Sequence, residues 1–432
     1  MRATVRRLDA ALALMAAGLA LLIVRSALTS PDAPDGPASP TGLASDPLDL
    51  PALRDLGLRL DRRGRLAEAD AILGFVGGRT WRDGPTQVWL LRRRLDQGRY
   101  PEAFESADSL LRRDADGTTR PNLFPLLIAA AADARTRPAL VERLAAAPWW
   151  RGDFLRALGV QGDVAGARVL FSALARGTGP LAPDDYAPFI NRLASAGDYE
   201  GAYGAWRSIA RPADPAVPVL RDGDFTAGSD HTPFTWSTAA GAGASSEAGA
   251  APSGPAVRAL RVDYDGYSSP GLPAQLLVDA PRRYSVSWVE RIEPPGPERL
   301  SWRVRCADTN QVLARAAPAV AGWREAMMTV ATPASGCAAQ WLELAAEPGE
   351  RRAAVTAWFA AFRLQPVPES AFRKVGTGFR IRRAQKQNLE RPSDSITSAP
   401  LQKGHRAPAP LRSAQTVRAQ ISTSRANEHF FR

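Results

Sequence analysis

Apolar positions along this chain follow three rules in succession. Ala10 to Val24 is a run of fifteen residues without a charge, set between Arg2, Arg6 and Arg7 on one side and Arg25 on the other. From about Leu48 to Ala210 apolar residues return every three or four positions, as Leu53, Leu56 and Leu60 do and again Leu90, Leu91 and Leu95. That spacing puts them on one face of a helix, and no alternating stretch interrupts it. From near Pro212 the rule becomes alternation between Gly and Pro breaks. Runs at 256–264, 274–280, 283–292, 299–308, 326–333, 339–347 and 357–366 read as strands, and seven or eight of them over some 150 residues predict a β-sandwich. The stretch 238–255, dominated by Ala, Gly and Ser, is expected to be a solvated loop.

The helical part repeats itself. "RRGRLAEA" at 62–69, "DQGRYPEA" at 96–103, "VQGDVAGA" at 160–167 and "SAGDYEGA" at 195–202 each set a Gly five residues before an Ala. The glycines are Gly64, Gly98, Gly162 and Gly197, and the alanines Ala69, Ala103, Ala167 and Ala202. The first two glycines are 34 residues apart and the last two 35; the 64 between Gly98 and Gly162 leave room for a further unit, lacking the Gly, around 132–147. A period near 34 predicts helix-turn-helix units that stack because one pair cannot bury its apolar face alone. The Gly suits the turn, and the small Ala lets paired helices approach.

The flanks change the picture of compartment and charge. The run at 10–24 is short for a spanning helix, but it extends to Leu28 if Asp9 and Arg25 reach the headgroups. With the positive cluster upstream, segment 1–28 is expected to be a single-pass signal anchor in the inner membrane, its N-terminus cytoplasmic and the body in the periplasm. A cleaved signal peptide is the other reading; no convincing small-x-small site follows the apolar core, and no Cys there could accept a lipid. Residues 29–47 hold five prolines among Gly, Ser and Asp and read as a linker. Residues 369–432 carry 13 Lys plus Arg against 4 Asp plus Glu, and so account for nine of the net charge of +11. The segment 368–432 is therefore expected to be a disordered basic tail. The body before it is nearly neutral and shows no basic field for phosphate backbones, so nucleic acid is excluded as a partner.

On Gly64, Gly98, Gly162, Gly197 and their paired alanines, residues 48–210 resemble a tetratricopeptide-repeat solenoid, with "LRDLGLRLDRRGRLAEADAIL" at 53–73 the best match. The second part, 211–367, resembles the galactose-binding-like jelly rolls of carbohydrate-binding modules. The residues carrying that likeness are Gly223-Asp224-Phe225 with Trp236, the "DAPRRYSVSW" stretch with Pro281 and Tyr284, and the closing "AWFAAFRL". Arg282 stands where that family's turn has Gly. Repeats followed by such a module are similar to bacterial envelope proteins associated with exopolysaccharide production. The resemblance implies protein partners for the repeats and polysaccharide for the sandwich. The fold class expected is thus multidomain: membrane helix, α-solenoid, antiparallel β-sandwich and disordered tail.

Chemistry-bearing residues are sparse. His231 is the body's lone histidine, and no Cys or second His stands at ligand spacing. "GSDH" at 228–231 puts Ser, Asp and His side by side, whereas a triad assembles them from separate elements. No nucleophile elbow, phosphate loop or dinucleotide fingerprint is present, so no catalytic residue is assigned and an enzyme is not expected. Asp222, Asp224, Asp263 and Asp265 offer carboxylates for a structural calcium, the one cofactor worth considering, but Asp and Gly also simply make turns. Among the aromatics, Trp288, Trp302 and Trp341 sit amid apolar alternation and read as core, whereas Trp236, Tyr264 and Tyr267 adjoin loops and are the candidates for glycan contact. Cys306 and Cys337 end one predicted strand and begin another, and in a translocated body they are expected to form a disulfide, with two buried thiols as the alternative.

The sequence therefore reads as a non-catalytic, membrane-anchored envelope protein that contacts partners through its helices and can hold glycan on its sandwich. A purely structural scaffold is the second reading and a glycan-processing hydrolase the third. A reporter fused after residue 50 is expected to be active only outside the cytoplasm; activity of a cytoplasm-only reporter there would reverse the orientation.

Overall fold

The computed structural model describes residues 46–368, apart from 178–180, 211–218, 240, 253, 255, 295–298 and 318–321. The anchor expected at 1–28, most of the linker and the tail from 369 lie outside the described residues. Among the described residues no helix is long and apolar enough to cross a membrane.

The described residues form ten helices followed by nine strands. The helices are α1 (Leu50–Arg62), α2 (Leu66–Arg79), α3 (Gly84–Asp96), α4 (Tyr100–Arg112), α5 (Arg120–Ala132), α6 (Arg137–Ala145), α7 (Arg151–Gln161), α8 (Val164–Arg176), α9 (Pro183–Ser195) and α10 (Tyr199–Ala210). Asp49, Asp83 and Asp163 cap α1, α3 and α8, each carboxylate accepting a backbone N–H of the first turn, and Pro51 and Pro85 follow where a missing N–H costs nothing. Helix α1 packs on α2, α3 on α4, α5 on α6 and α9 on α10, while α7 packs on α9 and α8 on α10.

The four echoes divide three to one. Gly64, Gly98 and Gly197 have φ of 74°, 73° and 81°, the left-handed region that a side chain resists. Gly162 instead is extended, with φ of −70°, and a Cβ there would come within 2.6 Å of the Leu158 carbonyl oxygen. The same letter thus answers two different demands, backbone handedness at three turns and close approach at the fourth. Ala69, Ala103, Ala167 and Ala202 are all fully buried. The unit expected without a Gly near 132–147 corresponds to α6 and the turns around it.

The strands are β1 (Ala244–Ala250), β2 (Arg258–Tyr264), β3 (Ala274–Val278), β4 (Arg283–Glu293), β5 (Leu300–Cys306), β6 (Val312–Ala316), β7 (Arg324–Ala331), β8 (Ala339–Ala346) and β9 (Val355–Pro366). They make a five-stranded sheet in the order β1-β2-β9-β4-β7 and a four-stranded sheet in the order β3-β8-β5-β6, with every pairing antiparallel. Residues from both sheets share one core, in which the Trp302 ring lies 4.9 Å from Phe362, 5.2 Å from Phe359 and 5.8 Å from Trp236. Gly223-Asp224-Phe225 is stitched to β9. Phe362 N–H donates to the Gly223 carbonyl at 3.0 Å, Asp224 pairs with Arg363 at 3.1 Å and Phe225 is in the core.

Three expectations need correction. Strand β1 lies inside 238–255, which had read as loop, because small residues can pair along a sheet edge with little to bury. Strand β6 is short, only partly buried and was not anticipated. Trp288 and Trp302 fill the core as expected, but Trp341 is on the outer face of the four-stranded sheet, because its neighbours Gln340 and Leu342 take the inward phase. The disulfide is present, joining Cys306 to Cys337 across a Cα separation of 5.3 Å.

The helices and the sandwich meet on that same outer face. Leu276, Val278 and Ala339 belong to the helical core together with Trp206 and Ile209 of α10, whereas Leu277 points into the sandwich. Phe234 completes the seam, its ring 5.3 Å from Trp206 and 5.2 Å from Tyr203. Asp230 fastens it: Oδ2 accepts from Trp206 Nε1 at 2.7 Å and from the Tyr186 hydroxyl at 3.3 Å. Its Oδ1 accepts from Thr232 N at 3.0 Å and from the hydroxyls of Thr232 at 2.5 Å and Thr235 at 2.7 Å. Burial pushes the Asp230 carboxyl up, but the hydrogen bonds from Thr232, Trp206 and Thr235 together outweigh it and hold the group below its ordinary value.

Two outcomes are expected. Enlarging Ala103 to Leu should overpack the helical core and cost about 1–3 kcal/mol, seen as a lower melting temperature; an unchanged one would contradict the packing described. Because the Asp230 pKa is depressed in the folded state, its contribution is complete above the unfolded value near 4 and is lost as pH falls through the lower folded value. Asp230→Asn should therefore flatten the acid limb of the stability profile below pH about 4, and parallel profiles for the two proteins would refute the clasp.

Candidate functional site

The outer face of the four-stranded sheet is covered on only one side. Strand alternation brings Trp341 and Glu343 of β8 to this face, and it brings Arg303 and Arg305 of β5 to it as well; the register sets Arg305 opposite Trp341 and Arg303 opposite Glu343. On β3 the same face shows Ala274 beside Glu343 and Leu276 beside Trp341. Helix α10 covers Leu276, while the segment 229–238 runs along the β3 edge. Its Pro233 carbonyl accepts Leu276 N–H at 2.7 Å, and Ser237 N–H donates to the Ala274 carbonyl at 3.0 Å.

What remains open is a cleft of about 490 Å³ between helices and sandwich. Trp341, Arg305, Glu343 and Ala274 form its sheet side; Ser237, Thr238, Thr232 and His231 come from the edge segment, and Asn191 from α9. Asn191 Nδ2 donates to the His231 carbonyl at 2.9 Å, so the helical wall and the edge segment hold each other. The Trp341 ring is half-buried, packed on one side against the helical core.

Electrostatically the sheet side sets one carboxylate between two guanidinium groups. Glu343 accepts from Arg303 Nε at 2.6 Å and from Arg305 Nε and Nη2, both at 2.9 Å. Burial raises its carboxyl, but the bonds from Arg305 and then Arg303 outweigh this and keep it below the ordinary range, so it is ionised at neutral pH. The same bonds raise Arg305. The charged groups lining the cleft, Arg305 and Glu343, cancel. The result is one aromatic surface ringed by hydroxyl, amide, imidazole, guanidinium and carboxylate groups, which can both donate and accept.

The residues expected from sequence do not assemble into this site. Trp236 is buried at 6% exposure, its indole N–H donating to the Asp222 carbonyl at 3.0 Å, and it fills the core instead of facing solvent. Tyr264 is likewise in the core at 2% exposure, its hydroxyl donating to the Ser268 carbonyl at 2.6 Å. Only Tyr267 is exposed, at 51%, in the turn after β2 on the other sheet. The four carboxylates considered for calcium are engaged locally. Asp222 accepts from Thr226 and Ala227, Asp224 pairs with Arg363, Asp263 holds Arg261 and Thr356, and Asp265 accepts from Tyr267 and Ser268. Among the described residues no group of three or more potential metal ligands is gathered. Asp230 of "GSDH" turns to Trp206, Tyr186 and the two threonines. The missed residue is Trp341; its shared phase with Glu343, and that of Arg303 with Arg305, was readable as one face carrying both a ring and charges.

The chain matches no protein-family model and no curated protein. Several solved carbohydrate-binding sandwiches are similar to its C-terminal part. The CBM22-1 xylan-binding domain of Paenibacillus barcinonensis Xyn10C is 14% identical over 31% of this chain and 85% of that one, with a TM-score of 0.25. A family 16 carbohydrate-binding module is 13% identical over 34% and 99%, with a TM-score of 0.26. A CBM4 structure is 15% identical over 32% and 99%, with a TM-score of 0.22.

Proposed function

We propose that this chain is a non-catalytic saccharide-binding protein whose ligand seats in the cleft between helices and sandwich. The observation that carries the reading is Trp341, a half-buried indole at the open part of the outer sheet face, with Arg305, Glu343 and Asn191 lining the same cleft. A pyranose ring offers an apolar face that packs on an indole and hydroxyls around its edge that both donate and accept, which is the inventory of this cleft. Arg305 and Glu343 are paired with each other, so the cleft lining holds no unpaired charge for an ionic ligand, and a neutral sugar fits it.

The helical hairpins, with their left-handed turn glycines and buried alanines, serve in this reading as a tetratricopeptide-like scaffold for protein partners. The charge pattern of 1–28 supports a membrane anchor, and the Cys306–Cys337 disulfide fits an oxidising compartment such as the periplasm. A role beside exopolysaccharide production is part of this proposal and rests on the resemblance of repeats followed by such a module to envelope proteins of that kind.

The test uses the full chain and a glycan array. Trp341→Ala should lower affinity for any glycan retained by the unaltered protein by about tenfold or more, as loss of a central aromatic contact does. Trp236→Phe, a change inside the core, should alter the melting temperature and leave affinity unchanged. Binding indifferent to Trp341→Ala would overturn the site. No binding to any glycan would leave the helical scaffold as the function.

A further inference from the structure

A second cleft lies wholly within the helical part, with a volume of about 460 Å³, inside the range of ligand sites. Trp81, in the turn between α2 and α3, presents a ring that is 50% exposed. Facing it are Glu105, Asp108, Ser109 and Arg112 of α4 and Arg143 of α6.

This lining is built rather than incidental. The Ser109 hydroxyl donates to the Trp81 carbonyl at 2.6 Å and so fixes the turn that carries the ring. Asp108 is 6% exposed, and its Oδ1 accepts the indole N–H of buried Trp150 at 2.9 Å. Its Oδ2 accepts from Arg112 Nε at 2.9 Å and lies 3.5 Å from Arg143, whose other terminal nitrogen is 3.7 Å from Glu105. A buried carboxylate thus holds two guanidinium groups at the rim, and two acids cancel two bases. An anionic or cationic ligand gains little from a balanced rim. An apolar peptide side chain would want an enclosed apolar pocket, and here the one apolar surface is a half-open ring.

We infer that the Trp81 cleft is a second neutral-saccharide site, so that one chain holds two sugar-binding clefts. It shares with the Trp341 cleft a ring and a guanidinium-carboxylate pair, on different elements of one compact unit. A polysaccharide that spans both clefts is retained more strongly than by either alone, and an oligosaccharide too short to span them reads the two separately.

The test is affinity electrophoresis of the full chain through gels containing a soluble neutral polysaccharide: xylan, mixed-linkage β-glucan, galactomannan or dextran. In a gel that retards the unaltered protein, Trp81→Ala and Trp341→Ala should each weaken retardation by about tenfold or more, and the double variant should run as in a blank gel. Titration with a short oligosaccharide of that polymer should give two sites per chain, falling to one in Trp81→Ala. Arg112→Ala, at a side chain 62% exposed, repeats the test without a ring deletion. Retardation unchanged in both Trp81→Ala and Arg112→Ala overturns this inference while leaving the Trp341 site standing. Loss in Trp81→Ala with none in Trp341→Ala leaves the Trp81 cleft as the one sugar site and overturns both the Trp341 site and the pairing of two clefts. No retardation of the unaltered protein in any gel overturns both.

Discussion

One carboxylate fixes the geometry on which the rest depends. Asp230 sits in a short segment between the helices and the sandwich and takes hydrogen bonds from α9, from α10 and from its own turn. A half-buried charge without such partners would be costly, and removing one partner leaves the carboxylate partly desolvated and short of a bond. The segment therefore has one stable placement. That placement sets Phe234 against the stacked rings of Trp206 and Tyr203 and carries Ser237 to the edge of β3.

From there the cleft follows. Because the edge segment and α10 cover the β3 side of the outer face, the sheet loses Leu276, Val278 and Ala339 to the helical core and keeps Trp341, Arg305 and Glu343 at the opening. The sandwich alone would expose those three apolar residues, and the helices alone would lack the sheet side. Arg221 strengthens the joint from below, its guanidinium 4.4 Å from the Trp206 ring and its backbone paired with the buried Gln275 side chain at 2.8 and 3.1 Å. The disulfide tethers the ends of the two strands that carry Arg305 and Trp341.

Much of the fold was legible from period alone. The three- and four-residue spacing marked the helical part, and the alternation in "RYSVSWVERI" survives as the strict inward-outward pattern of β4. Burial of the echo alanines followed from their size and place. The site was less legible, because loop adjacency is a poor guide to exposure. Trp236 adjoins loops, yet its segment folds back over the core so that the indole can reach the Asp222 carbonyl. Trp341 looked like core because "AQWLELAA" is mostly apolar, and only the phase shared with Glu343 marks its face as the outer one. The role of Asp230 depends on contacts 24 and 44 residues away, which no local pattern records.

Helices and sandwich form one cooperative body because Asp230 and the shared core bind them. Scanning calorimetry of the full chain tests it most directly. A single unfolding transition for both parts is expected, with calorimetric and van't Hoff enthalpies in agreement. Two separable transitions, one tracked by helical and one by β-sheet circular dichroism, would contradict it.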